Sequence, residues 1–368
     1  GPLRVKPGIT IDQRFTDNLF QENAGEKSDA VTTVTPAIAV QLPYGRNFYQ
    51  LTYHADVIKA WEYDAYDATH HFANASLTFN TNMFQVTAAD GFSRSSTPPD
   101  SPRDIRNDYY QNTASIDAAV RLADRYRLRA FVNNEFQDYD ADDRLPGDPD
   151  PELDNLTKNE VGLNVFYRFL PLTSVLFEYG LVHTSNTDKN LVSTDSDEHR
   201  AMIGLTWEPF SKIQGTVKAG YVKREYDVAS RQWEGLGVAG IMTYDYSSST
   251  QYRLTASRKA NDTAVTQQQA PYGTYYVTTG ADVSLRHGFN YKISALLEAG
   301  YSNDDYKEPG LAGLRRKDDR MRAAAGFRYD IQDWLRCTVR YSFVNNDSNV
   351  GSEDYTENAL SLIVWIGM

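Results

Sequence analysis

Hydrophobic and polar residues alternate along most of this chain. In Tyr49-Gln50-Leu51-Thr52-Tyr53-His54-Ala55-Asp56-Val57 every second residue is apolar or aromatic. Further on, Val161, Leu163, Val165, Tyr167 and Phe169 fall on one face, with Glu160, Gly162, Asn164 and Arg168 on the other. Residues 321–329 and 335–341 repeat the pattern. Side chains two apart share a face only in an extended strand, so period two predicts β-structure with one apolar and one polar side. Few windows fit the 3.6-residue period of a helix. The chain reads as all-β.

About 18 such segments can be picked out, with 16 as the alternative count. Strand plus connection then takes about 20 residues, room for the ~9–11 that a tilted strand needs to cross a bilayer. The connections alternate in length. Short links fall at 43–46, 80–82, 124–125, 171–172, 208–211, 247–249, 287–289 and 330–333. Longer acidic or Gly/Pro-rich links, such as 93–106, 138–156, 185–197, 259–272 and 303–315, lie between them. Outer-membrane barrels have this asymmetry, with tight periplasmic turns and longer extracellular loops. A soluble β-sandwich also alternates, but its loops need not. Here the apolar face carries aliphatic residues mid-strand and aromatic ones near the ends, notably Trp61, Trp207, Phe210, Tyr221, Tyr301, Tyr329 and Trp334. A lipid-facing band between aromatic girdles has that arrangement. The expected fold is one transmembrane, antiparallel, up-and-down β-barrel over residues 3–368. An even strand count puts both termini on the periplasmic rim.

Composition agrees once the alternation is seen. The 368 residues carry 37 Lys+Arg and 49 Asp+Glu, a net charge of −12, and the mean hydropathy is −0.55. No run approaches the ~20 apolar residues of a membrane helix. A barrel that shows lipid only every second residue is polar on average. One cysteine excludes a disulfide framework or a Cys-based zinc cluster, and the acidic balance argues against nucleic acid as a partner. Gly1-Pro2 reads as the scar of a cleaved tag, and the rest as the mature part of an exported protein whose signal peptide is absent.

The opening segment is more specific. Asp17-Asn18-Leu19-Phe20, then Glu26-Lys27-Ser28-Asp29, then Thr35-Pro36-Ala37-Ile38 resembles the start of the second "putative β-barrel porin" family. Its members begin with a strand ending in Asp-Asn, an aromatic or aliphatic residue, and Phe, then a short loop closing in Ser-Asp, and a strand that carries Pro and alternating aliphatics. They include barrels of Vps- and Eps-type exopolysaccharide secretion systems. The resemblance implies passage of a secreted polysaccharide across the outer membrane without an enzymatic step. It also implies periplasmic polysaccharide-export components as partners. The last strand ends on Met368, where such barrels usually carry Phe.

Alternation also assigns an inner face. In the last third, inward positions carry Arg253, Lys259, Arg286, Lys292, Arg320, Arg322, Arg328, Arg336 and Arg340, opposed by Asp282 and Glu298. Earlier strands are mixed, with Arg14, Arg121, Arg127, Arg129, Arg168, Arg200 and Lys218 facing Asp12, Asp56, Asp117, Glu135, Glu160, Glu178 and Glu198. Arg or Lys on the lipid face costs about 2–4 kcal/mol at the midplane, so these groups belong in a water-filled lumen. Paired charges line many barrels for solvation alone. The sharper expectation is that this largely basic wall attracts an anionic polymer or solute. The inward aromatics Phe166 and Tyr276 are candidate platforms for sugar rings, or fillers of space. The acidic stretches 138–143 and 148–152 offer hard oxygen ligands but lack EF-hand spacing, so no metal or other cofactor is expected. Neither the six histidines nor any Gly-rich loop forms a catalytic constellation.

The expectation is a monomeric, non-enzymatic conduit for secreted polysaccharide, set among outer-membrane lipid and lipopolysaccharide. A general or anion-selective diffusion porin is the first alternative. The second is a structural or adhesive barrel whose loops, 93–106 or 138–156, close the pore.

Overall fold

The structure is a computed structural model that describes residues 2–96, 108–140, 151–186, 195–208, 212–227, 232–263, 275–307 and 315–368. The strands of its first half are β1 Arg4–Thr16, β2 Asp29–Tyr44, β3 Asn47–Ala60, β4 Ala68–Asn80, β5 Phe84–Ser95, β6 Tyr109–Leu122, β7 Tyr126–Tyr139, β8 Leu156–Leu170 and β9 Thr173–Asn186. The second half adds β10 Ser196–Trp207, β11 Ile213–Tyr226, β12 Gln232–Asp245, β13 Thr250–Asp262, β14 Tyr275–Gly288, β15 Ile293–Tyr306, β16 Lys317–Gln332, β17 Leu335–Ser348 and β18 Tyr355–Gly367.

Each strand pairs antiparallel with its neighbours in sequence, and β1 closes the ring against β18, from Gly8 opposite Gly367 to Thr16 opposite Ala359. Every strand therefore has a partner on both sides, as hydrocarbon requires of a spanning sheet. Strands run from 12 to 16 residues. Several strand ends that read as loop, such as 259–262 in β13 and 303–306 in β15, extend the ladders instead. One rim carries tight turns, such as residues 45–46, 123–125, 171–172 and 333–334. The other carries the longer connections, such as 17–28 and 61–67. Arg4 and Gly367, the outer ends of β1 and β18, both lie on the short-turn rim.

The outer face is apolar and bare. Ile203, Phe327 and Leu77 are 63%, 61% and 52% exposed, and such rows need hydrocarbon rather than water. Five outward tyrosines mark where this band ends toward the long rim. Tyr53 bonds His71 (2.9 Å), Tyr179 bonds His199 (3.0 Å), Tyr221 donates to Glu234 (2.5 Å), Tyr341 donates to Asn358 (2.6 Å), and Tyr301 donates to Asp319. Each partner stands on the next strand, two residues nearer the long rim than the residue opposite the tyrosine; Tyr179 faces Ala201, for example, and reaches His199. A ring in the apolar band with its hydroxyl turned toward the wet side is the arrangement an interface favours. Trp61 also sits at this rim, its indole N–H donating to Thr32 at 3.0 Å. Phe210 lies outside the described residues.

Candidate functional site

Register carries face assignment around the ring. Lys218 stands opposite Ala239, Ala239 opposite Ser257, and Ser257 opposite Gly280, so residues of one parity share the inner face from strand to strand. The sequence-assigned charges fall on this parity and find one another there. Arg322 meets Asp282 at 2.8 Å and Arg340 meets Glu298 at 2.5 Å. Arg200 pairs Glu160, Arg129 pairs Asp117, and Lys218 meets Glu178 at 2.6 Å. Arg168 reaches Glu208, just beyond the end of β10, at 3.1 Å. Lys292 sits in the β14–β15 turn, its ammonium donating to the Ile331 carbonyl at 3.4 Å.

The acids opposing the last-third bases are more numerous than alternation suggested. Asp330 binds both Arg328 (2.9 Å) and Arg336 (2.7 Å), and Glu357 on β18 takes Arg14. Asp304 and Asp318 also line the interior. Asp330 and Asp304 fall within the links 330–333 and 303–315, where the polar rhythm of a strand end merges with the connection. Arg316, at the entrance to β16, is buried with Asp318 (2.8 Å) and Glu353 (3.0 Å). Burial opposes its charge, but the bond to Asp318 and the field of Tyr306, Asp318 and Glu353 outweigh that and hold the guanidinium more firmly protonated.

The proposed sugar platforms are covered. Phe166 is 6% exposed, with the Arg127 guanidinium 4.0 Å from its ring centre. Tyr276 is 7% exposed and stacks on Tyr306, their centroids 4.9 Å apart. In both cases a neighbouring strand supplies the cover, so these rings pack the wall instead of offering it.

Two elements narrow the long-rim mouth. The first is the β1–β2 connection, the segment Asp17-Asn18-Leu19-Phe20. Asn18 is fully buried. Its amide donates to the carbonyls of Glu22 (2.8 Å) and Thr356 (3.0 Å), and its oxygen accepts from Glu22 N–H (3.0 Å). Leu19 packs with Val31 and Ala60, and Phe20 meets Tyr63 and Tyr66 edge-on beneath the Lys27 ammonium. The Asp29 carboxylate accepts N–H bonds from Ala30, Trp61, Glu62 and Tyr63, tying the β3–β4 connection to the same knot. Gln21 reaches the inward Glu357 at 3.0 Å, so the knot leans on the inner wall.

The second element was not legible in the sequence. The β12–β13 ladder stops at Val238 opposite Arg258, although β12 begins at Gln232 and β13 ends at Asp262. Beyond that point Ala260, Tyr275 and Val277, outward by parity, pack against Met202, Val222, Tyr226 and Trp233, which are inward by parity. The end of the β13–β14 pair has turned into the lumen and lies as a second layer over β10–β12. A buried charge cluster holds it. Arg224, with a 5% exposed side chain, binds Glu198 (2.7 Å) and Asp262 (2.9 Å), and Tyr226 donates to Asp262 (2.8 Å). The expected inward loops 93–106 and 138–156 lie largely outside the described residues, as do most of the acidic positions weighed for calcium.

Between the knot, the turned-in hairpin end and the β13–β18 wall lies a cavity of about 420 Å³, lined by Phe20, Gln21, Lys259, Tyr276, Arg320 and Tyr355 among others.

Solved structures share this architecture. The Pseudomonas aeruginosa outer-membrane protein OpdK, solved with vanillate, is similar over 99% of each chain at 12% identity and a TM-score of 0.52. OccAB4 of Acinetobacter baumannii is similar over 99% of this chain and 98% of its own, at 12% identity and a TM-score of 0.51. The FrpB iron transporter of Neisseria meningitidis matches 92% of this chain and 62% of its own, at 10% identity and a TM-score of 0.52. These likenesses concern the fold. No curated protein matches the chain. The model of the family described as "Putative beta-barrel porin 2" matches residues 1–366, and the chain belongs to that family of outer-membrane β-barrel porins.

Proposed function

We propose that the barrel is a passive conduit through which a secreted polysaccharide crosses the outer membrane, with force supplied by synthesis and by periplasmic export components. One observation carries this reading: cavities that share charged lining residues follow one another along the inner wall of β13–β18, from the long-rim mouth to Arg336 and Trp365 near the short-turn rim. A hydrated chain needs a continuous polar path rather than a single pocket. The resemblance of the opening segment, whose residues build the mouth knot, favours the same cargo. In this reading the short-turn rim with both termini faces the periplasm, and the tyrosine-girdled rim meets lipopolysaccharide. A deletion strain should lose surface polysaccharide while small-solute uptake stays unchanged. Retained polysaccharide with impaired solute uptake would reverse the assignment.

The turned-in hairpin end favours a second reading, a narrow diffusion channel for small polar solutes. OpdK, a barrel of the same fold, was solved with vanillate. Liposome swelling separates the two, since a diffusion channel admits monosaccharides and small carboxylates at rates that a polysaccharide does not depress.

A further inference from the structure

The cavities along β13–β17 form one groove. The mouth cavity shares Asp282 and Arg322 with a middle cavity of about 560 Å³. The middle one shares Arg340 with a third of about 330 Å³ toward the short-turn rim.

Acids and bases along this groove are in different states. Asp282, Glu298, Asp318 and Asp330 are each held by an arginine. Asp304 accepts from the Thr278 hydroxyl at 2.6 Å. Lys259, Arg253, Arg286 and Arg320, by contrast, have no carboxylate within ion-pair distance among the described residues; Arg320 donates to Asn346 at 3.3 Å and lies near enough to Asp304 for its charge to be felt there. The acids are thus largely neutralised in place while four cations remain open to the lumen.

Their spacing is informative. Arg253 stands opposite Ser284, so Arg286 is its diagonal neighbour, about 7–8 Å away between backbones. Lys259 lies six residues farther along β13, about 20 Å from Arg253 at roughly 3.3 Å per residue. Arg320 sits on β16 in the same mouth cavity as Lys259. No small carboxylate can touch both ends of such a row. An extended chain can, and Ser257, Thr278, Ser284, Ser302 and Ser342 supply hydroxyls between the cations.

We propose that the groove binds an extended, carboxylate-bearing oligosaccharide, with Lys259, Arg320, Arg253 and Arg286 as successive subsites for its carboxylates. The assignment rests on the conduit reading and names the chemistry of its cargo. Binding to several linked subsites makes affinity climb with chain length, because each added contact is intramolecular.

The test uses the full-length barrel, in planar bilayers and in detergent, with oligogalacturonates of two to eight units as probe and malto-oligosaccharides as neutral controls. Current block and tryptophan-fluorescence titration are read in parallel. The half-blocking concentration should fall at least about tenfold from the dimer to the hexamer, with neutral chains far weaker. The variant Lys259→Gln/Arg253→Gln/Arg286→Gln/Arg320→Gln breaks no described ion pair. It should lose that length dependence, whereas Arg121→Gln/Arg127→Gln on the opposite wall should keep it. Equal block by neutral and anionic chains, or a quadruple variant that behaves as the parent, overturns the proposal and leaves a conducting barrel intact. Length-dependent binding in detergent by a barrel that passes no current sinks the conduit reading and keeps the groove. A folded barrel that neither conducts nor binds sinks both.

Discussion

Single residues decide how open the mouth is. Arg224 holds two carboxylates, and it and Glu198 meet almost no water, while Asp262 is partly covered. Removing one member of such a cluster leaves uncompensated buried charge, at a cost of about 3–5 kcal/mol. Arg224→Ala should therefore release the hairpin end rather than unfold a barrel whose ladders lie elsewhere. Single-channel conductance should rise while the folded form still migrates as a compact band in unheated gels. Asn18 works on the other side of the mouth. Its amide group makes three bonds from a fully buried position, and each buried partner left unpaired costs about 1–3 kcal/mol. Asn18→Ala should expose residues 17–28 to added protease, with the cut falling after Lys27 and the strands resisting. At this scale the sequence was informative where a pattern forces the answer. Each assigned inward charge falls on one parity, because a slip of one residue would move it into lipid. Pairing was not legible: nothing in the alternation says that Arg328 and Arg336 share Asp330 while Arg253 has no carboxylate in ion-pair reach among the described residues.

The β13–β14 pair shows what a periodic pattern conceals. Its residues keep strict parity to the end, so alternation puts Val277 on the lipid side and Lys259 and Tyr276 on the lumenal one. In the structure the same alternation serves a different surface. The apolar face is buried against Met202, Val222 and Trp233 instead of lipid, which satisfies the hydrophobic pattern equally well. Period two reports that a face is apolar, never what covers it. The one hint is the inner face of β10–β12, where Met202, Val222 and Trp233 are too apolar for a water-filled lumen. The opening motif was legible in the opposite sense: its residues stood out, yet only the packing of Leu19, Phe20 and Asp29 explains why they occur together. If the hairpin end is a removable layer, one buried charge in it should peel it away. Val277 is 1% exposed, and burying a carboxylate there without a partner is strongly unfavourable. Val277→Asp should raise conductance as Arg224→Ala does, and combining the two should add little. Additive increases would mean that the two substitutions act on different obstacles.

For the whole molecule, the net charge of −12 and the lumen make opposite forecasts of ion preference. A sphere of that charge would favour cations. A channel responds to what lies within a screening length of its path, about 10 Å at 0.1 M salt and 3 Å at 1 M. Along β13–β17 the inward acids other than Asp304 are matched by arginines, and the unmatched bases outnumber it, so an ion following that wall meets a positive field. The opposite wall carries acids without a described cation, Asp56 on Thr35 and Glu135 on Gln111, and it lies across a barrel of 18 strands. At low salt both walls should be felt, and reversal potentials under a KCl gradient should show a moderate anion preference. As salt rises, screening confines each wall's influence to its own surface. The preference should then shrink toward the bulk mobility ratio, as it would for any fixed charge. Removing the four unmatched bases gives the discriminating result. If they set the preference, their neutralisation should abolish or invert it at 0.1 M KCl and change little at 1 M. A cation preference in the unaltered barrel at low salt would mean that the path follows the Asp56 and Glu135 wall, and that the basic groove lies off the route ions take.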